Sequence, residues 1–188
     1  MSNLESRTIT IEKTFNASLK VVWDAWTQTE QIIKWWAPNG MNVKVEEHDF
    51  TVGGKWRYTM MMPDGGEFIS QGLYKEIIEQ EKIVTTADFK PMTENVELIA
   101  LFEAVGDQTK FTFKVIHPTE EYRIQQEKMG IYNGWGSAFE RLKEAICCDI
   151  ELAYPDYHSD ASKLELSTDA SGTGAGATLS QVQGNERR

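Results

Sequence analysis

Residues 48–77 read HDFTVGGKWRYTMMMPDGGEFISQGLYKEI, and the punctuation of this stretch decides the fold. Gly53-Gly54 and the run Pro63-Asp64-Gly65-Gly66 are turn chemistry: glycine reaches positive φ without a steric penalty, and proline presets the entry to a turn. No helix follows Gly53-Gly54, so that pair is not a phosphate cradle. Between the turns, KWRYTMMM places Trp56, Tyr58, Met60 and Met62 on one side of an extended chain. Lys55, Arg57, Thr59 and Met61 fall on the other. Alternating segments joined by short glycine-bearing loops are hairpins.

The pattern repeats outward in both directions. Upstream, MNVKVEEHDF runs into Gly53-Gly54. Downstream, EFISQGLYKEII leads to Glu79-Gln80-Glu81, and KIVTTADF leads to Lys90-Pro91. NVELIALFEAV then reaches Gly106-Asp107, and QTKFTFKVIH reaches Pro118. Six strands at hairpin spacing imply an antiparallel meander. Ahead of it, RTITIEKTF alternates as one further strand. LKVVWDAWTQ, with Asn16 or Ser18 as its cap, carries apolar residues at 19, 22, 23 and 26, the stripe of a helix. TEQIIKWW reads as a second short helix, capped by Thr29 and stopped by Ala37-Pro38. At the far end, Ile131, Trp135, Phe139, Leu142 and Ile146 lie on one stripe and predict a single long helix from about Thr119 to Ile150. Gly130, Gly134 and Gly136 cost that helix roughly 1 kcal/mol each against alanine, so they need a reason: close approach to the sheet, or room for a bound molecule.

The chain therefore reads β-αα-β6-α, an α+β fold in which a curved antiparallel sheet wraps a long C-terminal helix. Wherever helix and sheet diverge, such an arrangement leaves a cavity.

Composition limits the partners. Of 188 residues, 29 are acidic and 19 basic, for a net charge of −10, and no basic run precedes Arg187-Arg188. That balance argues against nucleic acid and against an anionic membrane surface, both of which are bound through clustered Lys and Arg. No window approaches the ~18 apolar residues of a membrane span, and the N-terminus shows no secretory core. The two cysteines, Cys147 and Cys148, are adjacent, which excludes a disulfide framework and points to a reduced, cytoplasmic setting. All six tryptophans and all eight phenylalanines precede residue 140, whereas SDASKLELSTDASGTGAGATLSQVQGNERR has no aromatic residue. Residues 1–154 are expected to form the domain and 155–188 a disordered tail.

The order of these motifs resembles a known family. KWWAP follows the second helix. An acidic residue, Asp49, precedes the Gly53-Gly54 turn and the aromatic strand at Trp56. The Asp64-Gly65 turn comes next, then G-x-Y-x-E-I at Gly72, Tyr74, Glu76 and Ile77, and a late Gly134-Trp135. Over roughly residues 8–148 this is similar to the family of homologues of the activator of heat-shock-protein-90 ATPase. That family lies in the START-like, birch-pollen-allergen-like helix-grip superfamily. The resemblance implies a deep hydrophobic pocket for a lipid-, sterol- or polyketide-like molecule. It also implies, as alternatives, a protein-interaction module acting on a chaperone in a stress response, or a cyclase- or hydrolase-like enzyme.

Alternation nominates the pocket wall: Trp56, Tyr58, Met60 and Met62 from one strand, Val96 and Leu98 from another, and Phe111 and Phe113 from the last. Trp135 and Phe139 face them from the helix. The methionines suit an adaptable binding surface. Of the Trp35-Trp36 doublet, the Ile32 and Ile33 stripe leans toward Trp36, so Trp36 is expected in the core and Trp35 at the rim as a gate. Candidates for chemistry are few. Glu47 and Asp49 fall on the face of Val43 and Val45, with Glu46 and His48 opposite, which reads as a solvated strand edge. His117, at a strand end before Pro118, reads as a structural histidine with its hydrogen bonds met. The histidines and acids show no metal-ligand spacing, no cofactor-binding motif is present, and no catalytic constellation stands out.

Overall fold

The computed structural model describes residues 4–62, 64–90, 93–151, 164–171 and 174–181. A 3-10 turn, Glu5–Arg7, leads into seven strands: β1 (Thr8–Phe15), β2 (Asn42–His48), β3 (Lys55–Met61), β4 (Glu67–Ile78), β5 (Lys82–Lys90), β6 (Thr93–Val105) and β7 (Gln108–Ile116). They form one curved antiparallel sheet in the order β1-β7-β6-β5-β4-β3-β2. Strands β2 to β7 are the expected meander, and β1 closes onto β7 with Ile9 opposite Val115 and Ile11 opposite Phe113. The helices are α1 (Leu19–Thr27), α2 (Thr29–Trp35), α3 (Glu120–Lys128) and α4 (Ile131–Glu151).

The predicted single C-terminal helix is two helices. Gly130 takes φ +88°, a left-handed conformation that ends α3, and its N–H donates to Glu127 O at 3.0 Å. A glycine just past the last helical turn is the standard stop, and here it overrides an apolar stripe that runs across the break. At the other end of α3 the Thr119 side chain accepts from Tyr122 N, as a cap should.

The α1–α2 corner is built on Gln28 rather than on Thr29. Gln28 is extended (φ −96°, ψ 129°), so it closes α1 and opens α2 at once. Its N–H donates to Asp24 O, and its carbonyl accepts from Gln31 N and Ile32 N. The corner directs Val22, Trp23, Ala25, Trp26, Ile32 and Trp35 inward.

Helix α4 lies on the concave face. Trp135 packs 4.5 Å from the Phe113 ring and Phe139 packs 5.4 Å from Phe111, centroid to centroid. Leu142 and Ile146 continue the buried stripe. Inward alternation holds along β6 (Val96, Leu98, Ala100, Phe102) and β7 (Phe111, Phe113, Val115). One close approach fixes β4 against β5: a Cβ added at Gly72 would sit 1.8 Å from the Thr86 carbonyl oxygen and 2.7 Å from Trp56 Nε1. Only glycine fits there.

On β2 the expected alternation fails. The register against β3 shifts between Val45 and Glu47, a β-bulge that inserts one residue and reverses the facing of everything after it. Glu46 and Glu47 are both exposed, and His48 joins the inward side of Val43 and Val45.

The chain forms two compact units, Met1–Ile150 and Glu151–Arg188. Within the second unit, where composition reads as a disordered tail, β8 (Leu164–Ser171) pairs with β9 (Gly174–Gln181) as an antiparallel hairpin. The rest of that tail reading lies outside the described residues. A two-stranded hairpin taken alone is of marginal stability in water.

Candidate functional site

A cavity of about 300 Å³ opens between the sheet and the α3–α4 corner. From the sheet, Met60 on β3, Phe68 on β4, Phe89 on β5, Val96 on β6 and Val115 on β7 form its floor, with Met62 just past the end of β3. From above come Gln126 on α3, Met129 and Gly130 at the corner, and Ile131, Gly134, Trp135 and Ala138 on α4. Trp36, Pro38 and Met41 close the side, and Thr93 completes the lining. A second void of only about 20 Å³ lies among Trp56, Leu98 and Phe113. Trp36 lines both spaces and so forms a wall of each.

The sequence candidates separate accordingly. Met60, Met62, Val96 and Trp135 line the cavity. Trp56, Leu98 and Phe113 line the small void instead. Trp35, Tyr58, Phe111 and Phe139 line neither and belong to the core.

The tryptophan doublet departs from the expectation at Trp35, while Trp36 is in the core as expected. Trp35 is 0% exposed, and its Nε1 donates to Ala25 O at 2.7 Å, tying α2 to α1. Trp36, 7% exposed, is the one that meets the cavity, with Nε1 donating to Ser70 Oγ at 3.0 Å. The reason is Ile33: it is 42% exposed, so the buried stripe runs through Ile32 alone and takes both indoles inward. A gate at Trp35 is ruled out.

The loop carrying Pro38 and Met41 is held by a residue that the sequence reading missed. Arg141 on α4 donates through Nη1 to Ala37 O at 2.7 Å, Met41 O at 3.2 Å and Pro38 O at 3.3 Å. A single guanidinium nitrogen thus fastens the cavity's side wall to the helix above it.

The helix glycines are answered in part. A Cβ at Gly134 would meet nothing within 4 Å among the described residues, and the same is true of Gly136. Neither permits a close helix–sheet approach. Gly134 leaves room in the cavity, and Gly130 turns the chain.

The polar groups that an enzyme reading needs lie elsewhere. His48 is not at a solvated edge. Its Nε2–H donates to Thr27 O at 2.8 Å, because a carbonyl only accepts. Nδ1 is then the acceptor for the Tyr58 hydroxyl at 2.7 Å, with the Tyr74 hydroxyl 3.4 Å away. Burial pushes both tyrosine hydroxyls above their usual range, so they stay protonated and act as donors. This network ties edge strand β2 to α1. His117 is 1% exposed and only half satisfied: Nδ1 lies 3.3 Å from Arg7 O, while the buried Nε2 has no partner among the described residues. Burial lowers its pKa, so the ring is neutral. Tyr58, Glu47 and His117 are absent from the cavity lining. Among the described residues no group of three or more His, Cys, Asp or Glu is placed to hold a metal, and no helix is long and apolar enough to cross a membrane.

A seven-stranded antiparallel sheet curved around a long helix, with a cavity between them, is a helix-grip architecture. Residues 16–146 match the family described as Activator of Hsp90 ATPase homolog 1-like protein, and the chain belongs to that family. Solved structures agree on the fold. A protein from Arthrobacter aurescens, 24% identical, superposes with a TM-score of 0.71 over 85% of this chain and 95% of its own. One from Mycobacterium smegmatis, 22% identical, gives 0.70 over 79% and 96%. An AHSA1-like protein from Aeromonas hydrophila, 19% identical, gives 0.64 over 80% and 99%. Comparison with curated proteins finds no match.

Proposed function

We propose that this protein binds a small hydrophobic molecule in the cavity between sheet and helices, in a reduced cytoplasmic setting. The carrying observation is the cavity itself: about 300 Å³, walled by aromatic, aliphatic and methionine side chains, with Gly134 keeping a helix face open. At ~30 Å³ per molecule such a space would hold roughly ten waters, and its lining offers them few hydrogen-bond partners. An apolar occupant replaces that poorly bonded water at a favourable free energy. Methionines at Met41, Met60, Met62 and Met129 let the wall adapt to shape.

The test is an NMR titration with a fatty acid, a sterol and an aromatic polyketide. Methyl resonances of Met60 and Met62 and the indole resonances of Trp36 and Trp135 are expected to move together. If all of them stay still with every ligand, the cavity is not a binding site.

A protein-interaction role on a chaperone is the second reading, favoured by the family description. It predicts stimulation of a chaperone ATPase that survives filling of the cavity, whereas the ligand reading predicts no such survival of ligand binding.

A further inference from the structure

We infer that Trp36 sets the size of molecule the cavity accepts. Its indole is a fixed partition across the space between sheet and helix, and the occupant is a compact hydrophobe that ends at that ring, not a long chain or a four-ring sterol. This rests on the ligand-binding reading above and narrows its substrate class.

The cavity and the small void lie in series along one floor. On β7, Val115 lines the cavity and Phe113 lines the void, and on β6, Val96 and Leu98 divide in the same way. On β3, Met60 lines the cavity and Trp56 the void, with Tyr58 between them. Inward positions on a strand recur at every second residue, about 7 Å apart, so the void begins where the cavity stops. Among the described residues, Trp36 is the one common to both linings.

At that border the Trp36 ring spans from floor to roof. Its centroid lies 5.1 Å from Tyr58 and 5.3 Å from Trp56 on the sheet, and 5.8 Å from Trp135 on α4, edge to face in each case. Its Nε1–H donates to Ser70 Oγ at 3.0 Å, and Ser70, itself fully buried, donates in turn to Tyr58 O at 3.3 Å. Turning the indole aside would strand a buried N–H and give up three ring contacts, so the partition is rigid. The outer side is open by contrast: Met129, at the α3–α4 corner, lines the cavity and is 47% exposed. A molecule that enters there meets Trp36 at its inner end. The space before the ring, about 300 Å³, is at the small end of ligand pockets. The void behind it, about 20 Å³, has room for about one water and adds nothing while the ring stays in place.

The test titrates the full chain by calorimetry with straight-chain primary alcohols from 1-hexanol to 1-dodecanol, and with 2-naphthol as a compact reference. In the wild type, affinity should rise about fourfold per methylene and then stop rising once the chain reaches the indole. Trp36→Leu should carry the rise on by about two methylenes or more, because the ring no longer closes the ~7 Å step to the void. It should leave 2-naphthol affinity within about twofold of wild type, since a molecule that already fits gains little from added length. Trp36→Phe keeps a ring and should move the break by less. Variants are first checked for a dispersed NMR spectrum. If neither folds, the wild type decides alone: the terminal methyl of the alcohol at the break should show nuclear Overhauser contacts to the Trp36 indole, and contacts to Leu98 or Phe113 instead would overturn the inference. A wild-type rise without a break, a break that the folded variants do not move, or an equal loss of 2-naphthol and of every alcohol in Trp36→Leu would also overturn it, while ligand binding stands. If neither 2-naphthol nor any alcohol binds, both readings fail.

Discussion

Gly134→Ala separates the two reasons a helix can carry a glycine. If Gly134 were there to let α4 press on the sheet, a methyl would collide and destabilise the fold. Instead, a Cβ at this position meets nothing within 4 Å, and the residue sits four positions into α4 with no positive φ to lose. Alanine should therefore recover the helix propensity of an interior position, about 0.5–1 kcal/mol. For a chain of this size that raises the melting temperature by roughly 2–4 °C. Gly136→Ala is the matched control. It has the same open surroundings and should give a similar gain, but Gly136 is not part of the cavity lining. The two then part company in ligand titrations. Gly136→Ala leaves 2-naphthol affinity unchanged, whereas Gly134→Leu, which projects an isobutyl group into the cavity, abolishes it while preserving the fold. The assays are thermal unfolding by circular dichroism and calorimetric titration. A lower melting temperature for Gly134→Ala would refute the reading of open space. Undiminished binding by Gly134→Leu would remove the cavity as the site.

Gly72→Ala should cost more than about 3 kcal/mol in urea unfolding, because its methyl would fall 1.8 Å from a backbone oxygen that cannot move without breaking β4–β5 pairing; a cost below 1 kcal/mol would show that the strands separate easily there. Tyr58→Phe removes the shorter hydroxyl contact to His48 Nδ1 and leaves that half-buried acceptor with only the Tyr74 hydroxyl at 3.4 Å, for an expected loss of about 1 kcal/mol. A loss that His48→Phe does not share, singly and in the double variant, would break the claimed coupling. His117 gives a pH dependence. Its folded pKa lies below the ordinary value of 6.5, so the unfolded chain binds the proton more tightly. Stability is then complete above about pH 6.5 and falls as pH drops through and below it. Urea midpoints between pH 7.5 and 5.5 should show this slope, and His117→Gln should flatten it; an unchanged slope in the variant would assign the titration elsewhere.

How far the sequence carried this picture depended on whether a signal was local. Glycine pairs and period-two alternation placed the meander and the inward faces of β3, β6 and β7, because hairpin geometry is set by the residues of the hairpin itself. The failures came where one residue changed the phase. The bulge after Val45 turned His48 inward, and no feature of VEEH announces it. Gly130 cut an apolar stripe that is continuous on paper. Phe68 was findable, since it shares the face of Ser70, Gly72 and Tyr74 six residues on. Gln126 was not: on a helix with no apolar stripe, nothing marks which polar residue is buried, and only packing decides it.

The packing of the indoles has an optical consequence. Trp26, Trp35, Trp36, Trp56 and Trp135 form a connected cluster that branches at Trp36, with ring centroids 4.7 Å (Trp26–Trp35), 5.3 Å (Trp35–Trp36), 5.3 Å (Trp36–Trp56) and 5.8 Å (Trp36–Trp135) apart. At such separations excitation is shared, so light absorbed by an indole deep in the core can be emitted or lost at another. Two members of the cluster, Trp36 and Trp135, form part of the cavity wall. An occupant that quenches either one therefore also lowers the emission of the indoles coupled to it, and the protein carries a built-in optical reporter for whatever quencher enters it.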